Sequence, residues 1–232
     1  MYFDSTFLLI LPALILSLYA QYKISSAYKK YSAVRNKKGY TGADVARQLL
    51  LSSGINDVSV ESIRGNLTDH YDPRTKVLRL SEGVFNSPSL AAIGIAAHET
   101  GHAIQHNIGY GPLGLRSGLV PLANIGSRMA VPLIIIGLFM ASGSGSFGMM
   151  LINLGIILYS VAVAFTLITL PVEFNASGRA IALLSDYHFL TPDEITPAKK
   201  VLNAAALTYV AAALSAVLTL LRFVLIANRR RS

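Results

Sequence analysis

Hydropathy divides this chain into four apolar stretches and one long polar stretch. Apolar residues run with little interruption over 7–22 ("FLLILPALILSLYAQY"), about 119–141, 149–170 and 201–226. A helix rises about 1.5 Å per residue, so roughly twenty apolar residues cross the hydrocarbon core of a bilayer. The first run is about 24 Å long as a helix, enough for a span if it extends toward Tyr2. The second and third runs are joined by "SGSGSFG", which carries no charge, and read as a transmembrane hairpin. A hairpin returns the chain to the side it left, so the polar stretch 172–200 is expected to share a compartment with the long polar stretch before it.

That long stretch, 23–118, carries 12 of the 20 basic residues and has the periodicities of a folded domain. "TGADVARQLLLSSG" predicts an amphipathic helix, with Thr41 as N-cap, Val45, Leu49 and Leu50 on the apolar side and Gly54 as the stop. "VSVESI" and "KVLRLS" alternate as half-buried strands do, and "DPRT" is a turn feeding the second. A further helix is expected from Ser89 to His106, broken near Gly109, Gly111 and Pro112.

Composition strengthens the membrane reading: 53% of residues are hydrophobic and 14% charged, with a mean hydropathy of +0.51, where a soluble domain carries about 25% charged residues. There is no cysteine, so any metal must be held by His, Asp or Glu. The net charge of +8 raises nucleic acid as a partner, but Lys23, Lys29, Lys30, Arg35, Lys37 and Lys38, and then Arg229 to Arg231, flank apolar segments. Anionic lipid headgroups account for them there, and nucleic acid is set aside. The first run precedes every basic residue and lacks a small-residue cleavage site, so it reads as an uncleaved anchor. The basic cluster after it places residues beyond Lys23 in the cytoplasm. Four spans would then leave the basic C-terminal tail outside. Either the first span dominates orientation, or the last run is a buried or re-entrant helix.

The chemistry concentrates in "AAHETGHAIQH", 96–106, which holds three of the five histidines. His98 and His102 lie one helical turn apart, about 6 Å along the axis, so that both imidazoles can converge on one Zn²⁺. Glu99, about a hundred degrees round the helix, can reach a metal-activated water and take its proton; this is the H-E-x-x-H arrangement of a metal-assisted hydrolase. His106 lies about 12 Å along the axis from His98, too far for both to bind one ion on an unbroken helix, and is read as a supporting or surface residue. A catalytic zinc needs a third protein ligand and an open position. Glu173 in "TLPVEFNASGRAIALL" is the best candidate, expected near the start of a helix preceded by Pro171, where the helix dipole favours a carboxylate.

With these residues in place, the sequence resembles the gluzincin metallopeptidases, and among them the membrane-embedded group that includes the HtpX proteases. In that group the third ligand lies in a pattern Glu-aromatic-x-Ala-Asp on a later helix. "EFNAS" matches the Glu, Phe174 and Ala176, while Ser177 stands where the pattern has Asp; Ser177 or Asn175 could supply the support that Asp gives a zinc histidine. The chain as a whole is similar to the membrane zinc metallopeptidases of the YugP family, through "MYFDSTFLLILPALILSLYAQ", "LTDHYDPRTKVLRLSEGVF", "AAHETGHAIQH", "LPVEFNAS" and "VLNAAALTYVAAAL". The resemblance implies that "KVLRLS" is an edge strand pairing with substrate backbone. It also makes His70 and Tyr209 possible transition-state or supporting groups, beside their readings as a turn residue and a packing residue.

The expected architecture is a mainly α membrane protein with three or four transmembrane helices carrying a small α+β zincin-like domain with an HExxH helix. Its parts are an anchor (1–22), a cytoplasm-facing domain (23–118), a transmembrane hairpin (119–171), a third-ligand helix and loop (172–200) and a C-terminal apolar helix with a basic tail (201–232). The expected function is that of a multi-pass cell-membrane zinc endopeptidase acting on membrane-proximal polypeptides, with Zn²⁺ held by His98, His102 and Glu173 and Glu99 as general base toward the zinc-activated water. A metal-ion transporter and a non-catalytic zinc-stabilised scaffold are the alternatives. The oligomeric state is left open.

Overall fold

Local sequence signals set most of the element boundaries. The structure is a computed structural model and describes residues 5–141 and 146–229; the expected hairpin turn at 142–145 and the last two arginines lie outside the described residues. A 3-10 turn, Ser5–Ile10, leads into α1 (Leu11–Ser32). There follow α2 (Gly42–Ser52), β1 (Ser59–Ile63), β2 (His70–Asp72), β3 (Val77–Ser81), α3 (Glu82–Phe85), α4 (Leu90–Asn107), α5 (Gly111–Met140), α6 (Ser146–Asp186) and α7 (Pro192–Arg229). The chain is thus mostly helical with one small sheet. Four helices among the described residues are long and apolar enough to cross a membrane: Thr6–Ser32, Gly111–Met140, Ser146–Asp186 and Pro192–Arg229.

The chain forms two compact units: residues 1–19, 115–170 and 209–232 make one, and residues 20–114 and 171–208 the other. In the first, α5 and α6 approach through small residues. A Cβ on Gly126 would lie 2.5 Å from the Leu158 carbonyl oxygen, and one on Gly155 2.8 Å from that of Ala130. Small residues at such positions let helices pack backbone to backbone. Arg222 on α7 donates to the Thr6 hydroxyl at 3.2 Å and stacks over the Phe7 ring, so its charge is not left bare in apolar surroundings.

In the second unit the three strands are ordered β1-β3-β2, with β1 parallel and β2 antiparallel to β3. The strand "KVLRLS", expected at the edge, is therefore central. Val77, Leu78, Leu80 and Ser81 are all buried, and a strand buried on both faces belongs inside a sheet. The edges are β1 and β2, and the three residues of β2, the edge nearer Glu99, are too short to show a period.

Helix α4 is the buried axis of this unit. Ala92, Ala96 and Ala103 pack with Leu78 and Leu80 of the sheet and with Ala46 and Leu50 of α2. Ile93 and Ala97 pack with Val45 and Leu49 of α2, Ala180 and Leu184 of α6, and Ala198 and Val201 of α7. The row of alanines allows both layers to close on the helix.

Two boundaries beyond residue 170 differ from expectation. No helix begins at Pro171; α6 runs unbroken through it, so Glu173 is in a helix interior and gains nothing from an N-terminal dipole. Proline removes one donor and one hydrogen bond, which a long helix can tolerate when flanking turns are well packed. The loop expected before 201 is short because Thr191 caps α7. Its N–H and hydroxyl both donate to the Glu194 carboxylate, at 2.9 and 2.8 Å, and Pro192 opens the helix.

The N-terminus of α2 is closed by a full capping box: Thr41 accepts the Asp44 N–H, and the Asp44 carboxylate takes the Thr41 N–H at 2.9 Å. Replacing Thr41 by Ala is expected to lower stability by about 1 kcal/mol, read as a lower melting temperature in detergent. The Thr41 hydrogen bonds hold the Asp44 carboxyl below its ordinary pKa. Its contribution is therefore complete above the unfolded pKa and lost as pH falls through the folded one, so the melting difference between wild type and Asp44→Ala is expected to narrow on acidification.

Candidate metal centre

Ser89 starts α4 by accepting the Ala92 N–H at 3.2 Å, and the helix continues unbroken to Asn107. His98 and His102 consequently sit one turn apart on one face, with ring centroids 4.8 Å from each other. What brings a third candidate ligand to them is Gly101. A Cβ there would lie 2.7 Å from the Ala176 carbonyl oxygen, so only glycine permits the backbones of α4 and α6 to come this close.

That approach carries Glu173 between the histidines. Its Oε2 lies 3.2 Å from His98 Nε2 and its Oε1 3.7 Å from His102 Nε2. Potential ligand atoms of the three residues all fall within 4.8 Å of one another. Tetrahedral coordination at about 2.1 Å puts ligand atoms about 3.4 Å apart, and the two carboxylate separations bracket that value. The three residues therefore fit a metal ion.

The far side of each imidazole is also occupied. His98 Nδ1 is 3.0 Å from Ser177 Oγ, and His102 Nδ1 is 3.0 Å from Gln105 Oε1. With Nδ1 engaged, Nε2 of each ring is directed at Glu173, the arrangement seen where outer partners orient metal-binding histidines. Gln105 Nε2 donates in turn to the Val172 carbonyl at 2.9 Å and to Asn175 Oδ1 at 3.0 Å. Burial opposes charge on His102, but the Glu173 carboxylate, aided by that of Glu99, outweighs it and raises the imidazole above its ordinary pKa. The same negative potential would attract a divalent cation.

Glu99 is half-buried beside His98, and its Oε2 accepts the main-chain N–H of Tyr71 on the edge strand at 3.1 Å. The start of that strand is fixed by Asp69, which takes the Ser81 N–H at 2.7 Å; burial raises the Asp69 carboxyl above its ordinary range, and the charge of Glu99 adds to this. Burial also pushes the Tyr71 phenol up to about 12, and its hydroxyl lies 2.8 Å from His106 Nδ1.

The structure thus brings His98, His102 and Glu173 together, with Ser177 and Asn175 around them and Glu99 alongside. His106 is outside the cluster, bonded to Tyr71. His70 is exposed, with Nδ1 2.8 Å from the Thr68 carbonyl oxygen. Tyr209 belongs to the other unit, where it is exposed. The sequence reading missed Gln105. Its signal was its place three residues after His102, and so on a neighbouring position of the same face.

The sequence model of the family described as "Putative neutral zinc metallopeptidase" matches residues 6–228. The chain belongs to this family. Among similar proteins, "Putative membrane protease YugP" of Bacillus subtilis (strain 168) is 50% identical over 218 residues, which cover 94% of each chain. No solved structure matches. Within the family frame of a neutral zinc metallopeptidase, the His98, His102 and Glu173 cluster is the place where the residues fit a metal.

Since the close approach at Gly101 sets the site, Gly101→Ala is expected to force α4 and α6 apart and move Glu173 away from the histidines. Metal content per chain after dialysis against limiting zinc is expected to fall well below that of wild type; an unchanged content would contradict the role given to Gly101.

Proposed function

We propose that the protein is a membrane-embedded zinc-dependent endopeptidase. The observation that carries this reading is one buried carboxylate, Glu173, within 3.2 and 3.7 Å of the Nε2 atoms of both H-E-x-x-H histidines, with the Glu of that motif beside them. His98, His102 and Glu173 hold the metal, and Glu99 is the general base. Zinc bound there supplies a Lewis acid that polarises the scissile carbonyl and acidifies water.

Glu99 accepts the proton of the attacking water and later delivers it to the leaving amine. Tyr71 N–H, on the free edge of β2, holds the carboxylate in place before substrate enters. An extended polypeptide laid along that edge takes main-chain hydrogen bonds from β2, which makes binding tolerant of side-chain sequence.

Three or four of the apolar helices span the bilayer, and the lysines and arginines from Lys23 to Lys38 put the active site on the cytoplasmic side. Substrates are accordingly membrane-proximal polypeptides. A structural zinc would be closed by four protein ligands. Among the described residues the cluster has three, and His106 is engaged with Tyr71, which favours a catalytic site over a scaffold.

Zinc content and casein cleavage of detergent-purified protein test the reading. Wild type is expected to bind about one zinc per chain. Glu99→Gln is expected to keep it while losing cleavage by about 10²-fold or more, and Glu173→Ala to lose both. Full cleavage by Glu99→Gln, or zinc binding with no difference in cleavage among the three proteins, would overturn the mechanism.

A further inference from the structure

Gln105 is fully buried, and its orientation follows from its neighbours. A side-chain amide can be turned end for end without changing its shape, so its partners decide which end goes where. The Val172 carbonyl can only accept, so the NH₂ end of Gln105 must face it, and the oxygen must face His102 Nδ1. Asn175 is fixed by the same logic from the other side. Arg179 Nε can only donate, at 2.8 Å, so Asn175 presents its oxygen to Arg179 and to the Gln105 NH₂ group together.

Each hydrogen in this chain of contacts therefore has one direction: His102 donates to Gln105, Gln105 donates to Asn175, and Arg179 donates to Asn175. With an amide oxygen in front of Nδ1, the His102 ring carries its proton there and keeps the lone pair of Nε2 for the side on which Glu173 lies. His98 differs, because the Ser177 hydroxyl can rotate to donate or to accept and so selects no tautomer.

We infer that Arg179, Asn175 and Gln105 are positioning residues that lock His102 in its Nε2-ligating tautomer, and that this polarised chain sets how tightly the centre holds its metal. The inference rests on the reading of His98, His102 and Glu173 as a metal site. Arg179 is only half-buried, so it can be changed with little effect on packing.

Zinc affinity is measured by chelator competition on the detergent-purified full chain, with the melting temperature of the metal-stripped protein as the control of fold. Gln105→Met, close in shape but without an acceptor for His102, is expected to weaken zinc binding by about 10- to 100-fold, as loss of an outer partner does. Arg179→Met is expected to weaken it by about 10-fold, at the low end of that range, with the metal-stripped melting temperature unchanged. Arg179→Lys, which keeps a donor, is expected to restore most of the loss. Should Gln105→Met fail to fold, the Arg179 pair still decides. Affinity within about twofold of wild type in Arg179→Met, or a loss that follows a lowered melting temperature or is not restored by Lys, overturns the inference while leaving the peptidase reading intact. A wild-type chain that binds no zinc overturns both.

Discussion

The close contact between α4 and α6 is the constraint on which the site depends. His98 and His102 are neighbours by helical geometry alone, but Glu173 is remote in sequence and reaches them only because two backbones touch. Gly101 makes that contact possible, with Ala176 opposite it, and a single methyl group would intrude to 2.7 Å. Neighbouring small residues do similar service. Ala97 and Ala180 are completely buried in the core that joins the same two helices, and their short side chains hold the approach along its length. Interiors packed to crystal density transmit such spacing faithfully, so the separation of these side chains is set by the core and not by the side chains themselves.

A second consequence concerns charge. Glu173 is 2% exposed, and an ionised carboxylate in that position is costly unless positive charge or donors surround it. Among the groups around it are two imidazoles, each engaged on its far side by a hydroxyl or an amide. The oxygen and nitrogen donors of these three residues are of the kind that suits zinc. The polar shell also continues outward without a gap, from His102 through Gln105 and Asn175 to Arg179. Among the described residues no buried side-chain polar atom is left without a partner. A partly satisfied network would cost more than an apolar core in its place.

Glu99 links this centre to the sheet. Its carboxylate is held by an amide from the free edge of β2, the place where an extended chain could add. Asp69 and Ser81 tie the start of β2 to β3, so the edge that meets Glu99 is positioned by the sheet core and not by a loose loop. Glu99, the edge strand and His106 are thereby connected through one residue, Tyr71, whose main-chain N–H bonds Glu99 and whose phenol bonds His106.

What the sequence determined by itself was local. Thr41 with Gly54, Ser89 with Gly109, and the four apolar runs mark elements because caps, stops and hydropathy act over a few residues, and the spacing of His98, Glu99 and His102 is a property of any α-helix. What only the tertiary structure decided was everything that needs two distant segments. Gln105 looked like an ordinary polar helix residue because its partners Val172 and Asn175 belong to another helix. Gly101 carries no local signal of its role, which depends on Ala176 lying opposite it. β2 was too short to show an alternating pattern, so its place at the edge emerged only from the pairing of β3 on both sides. Pro171 misled because proline's local preference to end a helix was overridden by packing on either side. Short-range sterics are written residue by residue, whereas the separation of two backbones is a sum over a whole core, and no single position states it.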